Sequence, residues 1–162
     1  MKAIHVQKEI TINKNVSDVW EVMGNQFAQV HLWSTNFKDS KPGGNSKFAG
    51  IDYSERITVT ARGETIQELD SFDAATHALT YHITKGAPSI AKHASAAWSL
   101  KENKGNKTTA IIAFKLETKG FLGLLMTPLI KKGLGKATLE IAEELKYYVE
   151  NGSPHPRKVK SK

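Results

Sequence analysis

The sequence contains no cysteine. Disulfide staples, thiol nucleophiles and thiolate metal sites are therefore excluded, and the fold must be held by its core. Long apolar runs are missing as well. The most hydrophobic window, Phe121 to Ile130, ends at Lys131 and Lys132 and falls well short of the roughly 20 residues that cross a bilayer. The opening stretch, MKAIHVQKEITIN, alternates polar with apolar and lacks the roughly 7 to 15 apolar residues of a signal peptide, so a cytoplasmic protein is expected. Acids are scarce, with 16 Asp and Glu against 23 Lys and Arg.

What is present fits one globular domain. A chain of 162 residues is too short for two ordinary domains, and 40% hydrophobic with 24% charged residues argues against disorder or fibrous repeats. The net charge of +7 invites a nucleic-acid or anionic-membrane reading. Four of those charges, however, are Arg157, Lys158, Lys160 and Lys162, in an acid-free segment that contains two prolines. Residues 1–151 therefore read as the folded domain and 152–162 as a basic disordered tail, and nucleic acid is not an expected partner. Lys131, Lys132 and Lys136 leave a weak contact with an anionic membrane open.

Hydrophobic periodicity gives the element order. Ile4, Val6, Ile10 and Ile12 share one parity and make residues 3–13 a strand with one buried face, interrupted by Lys8. Asn15 and Asp18 then mark a helix start, with Val16, Trp20 and Met23 at helical spacing until Gly24 and Asn25 stop it. A second short segment, Phe27 to Trp33, precedes a turn-rich stretch at 41–45. From Ile57 to Leu116 the period is two and the connections are of hairpin length, which predicts an antiparallel meander. Beyond Gly120 the period becomes helical, with Thr127 as N-cap, Pro128 in the first turn and a stripe running from Leu129 to Tyr148. One helix about 10 to 12 Å wide cannot cover the concave face of a six- or seven-stranded sheet, so either the sheet closes tightly or a cavity remains.

Four stretches carry a resemblance to a known family: VSDVW at 16–20, FAQVHLW at 27–33, ETIQELDSFD at 64–73 with Tyr81 in the following strand, and GFLGLLMTPLIKK at 120–132. In this order and spacing the chain resembles the START-like (SRPBCC) superfamily, and within it the bacterial polyketide cyclase/dehydrase group. The resemblance implies an α+β helix-grip fold, in which a curved antiparallel sheet with two short helices after strand 1 wraps a long C-terminal helix. It also implies a pocket for a small hydrophobic ligand (a lipid, polyketide or aromatic metabolite) between that helix and the sheet. A cyclase or dehydrase enzyme using the same pocket is the alternative. Fold analogy does not choose between binder and enzyme.

Individual side chains are then weighed against that pocket. Glu68 shares the parity of Ile66, and the resemblance places a pocket-facing glutamate at this Glu68-Leu69 pair; desolvated, it would serve as acid, base or anchor. The competing reading is a strand-end glutamate paired with Arg56 or a lysine. Arg56 and Arg62 take the parity opposite to Ile57 and Val59 and so read as solvent-facing. Lys8 could neutralise Glu68 or a ligand carboxylate, although lysine stems also run along apolar strands to reach water. Val59, Ile66, Tyr81, Trp98 and Phe114 are the expected sheet wall, with Trp33 and His31 near the entrance. Met126, Leu129 and Ile130 would line the pocket from the helix, where Gly133 gives room. No metal or cofactor is expected: the six histidines form no H-E-x-x-H, and His82 and His93 read as outward-facing. The Gly133–Thr138 segment fails as a phosphate loop, because Ile130 stands where glycine is needed and Ala137 where a hydroxyl is needed. Monomer and dimer are equally open.

Overall fold

The computed structural model describes residues 3–161. Strand β1 (Ala3–Ile12) leads into α1 (Val16–Trp20), whose N-cap Asn15 accepts a hydrogen bond from the Asp18 amide at 2.8 Å. A π-helical turn (Glu21–Asn25) and a 3-10 helix (Phe27–Leu32) complete the two short helical pieces expected after the first strand. Six strands follow: β2 (Asp39–Gly43), β3 (Glu55–Thr60), β4 (Gly63–Asp73), β5 (Ala78–Lys85), β6 (Ala91–Asn103) and β7 (Lys107–Thr118). Helices α2 (Gly120–Leu125), α3 (Thr127–Asn151) and α4 (Pro156–Lys160) end the chain.

All seven strands form one antiparallel sheet in the order β1-β7-β6-β5-β4-β3-β2. The meander from β2 to β7 is local, and β1 crosses over to pair with β7. The short strand β2 was not expected in what reads as a turn; Pro42 is tolerated there because β2 is an edge. Helix α3 packs mainly across β1 and β7 on the inner face of the sheet. This is the helix-grip arrangement expected from the sequence. No helix among the described residues is long and apolar enough to cross a membrane, which says nothing of strands.

Two expectations about the last helix and the tail need correction. Thr127 does not cap α3. The helical ladder runs through it from α2, with the Met126 amide bonded to the Leu122 carbonyl and the Thr127 hydroxyl donating to the Gly123 carbonyl at 3.0 Å. The tail expected to be disordered is folded onto α3 as α4. Arg157 bridges Glu143 at 2.9 Å and Glu144 at 3.4 Å, and the Lys158 ammonium donates to the Phe37 carbonyl at 2.6 Å. The segment has no acids of its own; α3 supplies them.

The interior separates into two clusters. The larger joins Trp20, Phe27, Trp33, Trp98 and Ile112 to Ile141 and Leu145 in the C-terminal half of α3. The smaller joins Ile4, Val6, Ala94 and Leu116 to the half-buried Ile83, Ile130 and Leu134. The second half of α3 contributes Ile141, Ala142 and Leu145 to the larger cluster, whereas the first half is seated through buried Thr127 and Thr138 and half-buried Ile130 and Leu134; Gly133 is exposed, and a Cβ built on it or on Gly135 would meet nothing within 4 Å.

Candidate functional site: a cleft beneath the first half of α3

Between the two clusters the inner face of the sheet is not sealed. Lys8, Ile10, Ile83 and Phe114 point inward by strand parity yet are only half-buried, and Ile130 and Leu134 of α3 are half-buried opposite them. Register places Val6 beside Phe114 and Lys8 beside Ile112, so the Lys8 stem lies diagonally next to the Phe114 ring on one surface. These residues outline a candidate cleft with apolar walls and one cation. Lys8 makes no ion pair among the described residues.

The floor beside the cleft is an aromatic core built around an unforeseen residue. Arg56 is completely buried and faces inward. Its Nε and Nη2 donate to Gln67 Oε1 at 2.9 and 2.5 Å, its Nη1 donates to the Phe27 carbonyl at 2.9 Å, and its guanidinium lies 3.8 Å from the Phe27 ring centroid. Tyr81 and Trp98 stand 5.1 and 5.4 Å away, the range of cation–π attraction. Desolvation lowers the guanidinium pKa to about 10, with Tyr81 and Tyr53 pulling the other way, so it stays charged at neutral pH. Between the strand ends this inner face thus carries two cations and no carboxylate. The indole N–H groups of Trp33 and Trp98 in this aromatic core have no acceptor within the described residues.

The expected pocket residues fall into three groups. Phe114 and Ile130 are half-buried on the two sides of the candidate cleft, whereas Gly133 is exposed on α3, where an added Cβ would meet nothing within 4 Å. Trp33, Tyr81 and Trp98 are inward but closed within the core, their rings 5.7 to 6.5 Å apart, so they form its floor. Glu68, Ile66 and Val59 lie on the outer face, contrary to the parity reading, while Leu129 is exposed and Met126 sits at the α2–α3 junction. His31 accepts or shares a 2.7 Å hydrogen bond with the Ser40 hydroxyl beneath the 3-10 helix and does not reach the cleft wall.

The reversal in β3 and β4 has a physical cause. Arg56 pairs with Gln67 and Ile57 with Ile66 in the register, and Gln67 and Leu69 are the buried members of β4. The inward-facing guanidinium is stabilised by the Gln67 amide oxygen, the Phe27 carbonyl and aromatic faces, and that choice turns Ile57, Val59, Ile66 and Glu68 outward. A bulge between Leu69 and Ser71 then restores Phe72 to the core. Glu68 bonds Lys47 on the surface at 2.5 Å; that hydrogen bond first, and the lysine charge second, hold its carboxyl below the usual glutamate range. A carboxyl held low and outside the cleft is a poor general acid. Replacing Lys47 by methionine is expected to return the Glu68 pKa toward its ordinary value, as read by carboxyl NMR titration. Because a depressed carboxylate stabilises only above its unfolded pKa and loses that effect as pH falls through the folded one, the two proteins should diverge only in acid, and weakly for so exposed a pair.

Two further hollows lie nearby, and the second shares Phe114 with the candidate cleft. One of about 490 Å³ lies under the 46–53 loop beside Asn25, and one of about 530 Å³ lies mainly on the outer face, where Ala97 and Ala113 form a floor between His93 and Lys115. Among the described residues no group of three or more His, Asp or Glu is placed to hold a metal ion.

A curved antiparallel sheet gripping a long C-terminal helix, with an inward cleft between them, defines the helix-grip class of α+β domains. The chain belongs to the polyketide cyclase / dehydrase and lipid transport family, whose model matches residues 3–150. A START superfamily protein from Mycobacterium smegmatis has the same fold with a TM-score of 0.74 at 15% identity, covering 92% of this chain and 99% of its own. Truncated norcoclaurine synthase from Thalictrum flavum gives 0.71 at 12% identity, with 93% and 95% covered. A Thermobifida fusca protein solved by NMR gives 0.66 at 15% identity, with 94% and 97% covered. At these identities the likeness is one of fold. Comparison with curated proteins gives no match.

Proposed function

We propose that this domain binds a small, largely apolar molecule carrying an acidic group, held in the cleft between the first half of α3 and the inner face of β1, β7 and β5. The observation that carries this reading is Lys8, an unpaired ammonium on the inner face between half-buried Ile10 and Phe114. Apolar walls with one placed polar group are the usual make-up of a small-molecule site. The interior behind the cleft, with Arg56 uncompensated by any carboxylate, favours an anionic over a cationic guest. Membership of a family described by lipid transport supports the same class of ligand.

An acid–base enzyme built on Glu68 is the weaker reading, because Glu68 lies on the opposite face of the sheet and is paired with Lys47. The norcoclaurine synthase likeness supports the fold and carries no reaction to this chain.

The reading is tested with two probes of one skeleton, anionic 1-anilinonaphthalene-8-sulfonate and neutral N-phenyl-1-naphthylamine. Both are expected to bind saturably at one site, the anion about tenfold more tightly, the size of one charge-assisted contact. Lys8→Met should abolish that preference while leaving the neutral probe bound. Absence of saturable binding by either probe would overturn the proposal, and an anion preference that survives Lys8→Met would remove Lys8 from it.

A further inference from the structure

Helix α2 presents its apolar side chains to water. Phe121 is 78% exposed and Leu125 66%, and Leu122, Leu124 and Leu129 are each more than half exposed. Within α2 only Gly123 is buried, seated so tightly that an added Cβ would lie 2.9 Å from the Thr118 Cβ. The helix therefore rests on its glycine and turns its large residues outward, the reverse of the amphipathic arrangement that buries an apolar face in a core. A contiguous apolar patch of this kind on a monomer marks a contact surface.

Its surroundings specify the occupant. Lys119 precedes the patch, Lys131, Lys132 and Lys136 follow it, and no acid occurs between Glu117 and Glu140. Lys119, Lys131 and Lys132 make no ion pair within the described residues, and Lys136 reaches Glu140 only at 3.8 Å. Lysine is depleted in the cores of protein–protein interfaces, whereas an apolar helix edged by lysines is the pattern that lies in the headgroup region of an anionic leaflet. The bend at Met126 adds Leu129 to the α2 surface, while Ile130 and Leu134 face the smaller core cluster. One short segment thus carries both the exposed patch and a wall of the cleft.

We propose that the α2–α3 junction is a docking surface for a bilayer containing anionic phospholipid. Phe121, Leu122, Leu124, Leu125 and Leu129 enter the acyl boundary, and Lys119, Lys131, Lys132 and Lys136 meet the lipid phosphates.

Vesicle co-sedimentation tests this with the full chain, using phosphatidylcholine alone and phosphatidylcholine containing roughly one third phosphatidylglycerol. Binding to the anionic vesicles is expected to exceed binding to the neutral ones about tenfold and to weaken as salt is raised. Phe121→Ser with Leu125→Ser should lower that binding about tenfold at constant salt, and Lys131→Gln with Lys132→Gln should remove most of the preference for the anionic lipid. These side chains are exposed, so both variants should melt where the parent does. The proposal is overturned if the parent stays in the supernatant with anionic vesicles, or if the serine variant sediments as the parent does. It is equally overturned if light scattering shows parent dimers that the serine variant abolishes, which would make a second copy the occupant.

Discussion

Gln67→Leu is expected to destabilise the domain by about 3 to 5 kcal/mol, as much as deleting one partner of a buried ion pair, although no ion pair is involved. Gln67 Oε1 accepts two hydrogen bonds from the Arg56 guanidinium, which is wholly buried and faces no carboxylate. Removing that acceptor leaves a charge in the aromatic core with the Phe27 carbonyl, the Tyr81 hydroxyl and the faces of Phe27, Tyr81 and Trp98. Arg56→Met removes the charge itself and should cost much less, since desolvation already opposes the protonated form; that opposition is fully present below about pH 10 and lifts only as pH rises beyond it. The double variant should recover most of what Gln67→Leu loses. Urea unfolding followed by the fluorescence of buried Trp33 and Trp98 measures all three, and a loss with Gln67→Leu that persists after Arg56→Met would show that the glutamine matters for packing alone.

A second large effect is expected at Glu144. Its carboxylate is fully buried and accepts from the Thr35 amide at 2.9 Å and the Thr35 hydroxyl at 2.5 Å, with Arg157 of α4 at 3.4 Å. Glu144→Ala strands those donors at the junction of α3, the 33–37 segment and the C-terminal residues, and should cost about 3 kcal/mol. It also removes one of the two carboxylates that hold Arg157. Trypsin should therefore cut the variant after Arg157, Lys158 or Lys160 much faster than the parent while the rest of the chain resists. Equal cutting rates would show that α4 is held by Glu143 and the Lys158 contact to Phe37 without help from Glu144.

Element order was legible because each element carries its own period: alternation in β1 and in β5 to β7, and steps of three and four in α3. Facing was legible only where the apolar parity is also the buried one. In β3 and β4 two isoleucines and a valine lie outward and an arginine lies inward, so hydrophobicity pointed to the wrong face. No local pattern announces that choice, since it depends on the Phe27 carbonyl and on rings from distant segments. The C-terminal segment was misread for a similar reason: its composition favours solvation, and the carboxylates that neutralise it lie on α3. Lys8 was visible as a break in the β1 pattern, but its neighbours on the inner face follow only from the pairing of β1 with β7, which brings it beside Ile112 and diagonal to Phe114.

The crossover that seats β1 beside β7 also bears on how the chain is made. Ala3 pairs with Glu117 and Ile12 with Thr108, so β1 is synthesised long before β7 and has no partner until nearly all of the sheet has been made. The hairpins from β2 to β7 can zip locally in the meantime, whereas β1 must wait with an unpaired edge and an alternating apolar face. Lys8, the one charged residue on that face, interrupts it at its centre. The same lysine that distinguishes the cleft in the finished domain thereby guards the nascent strand against pairing with the wrong neighbour.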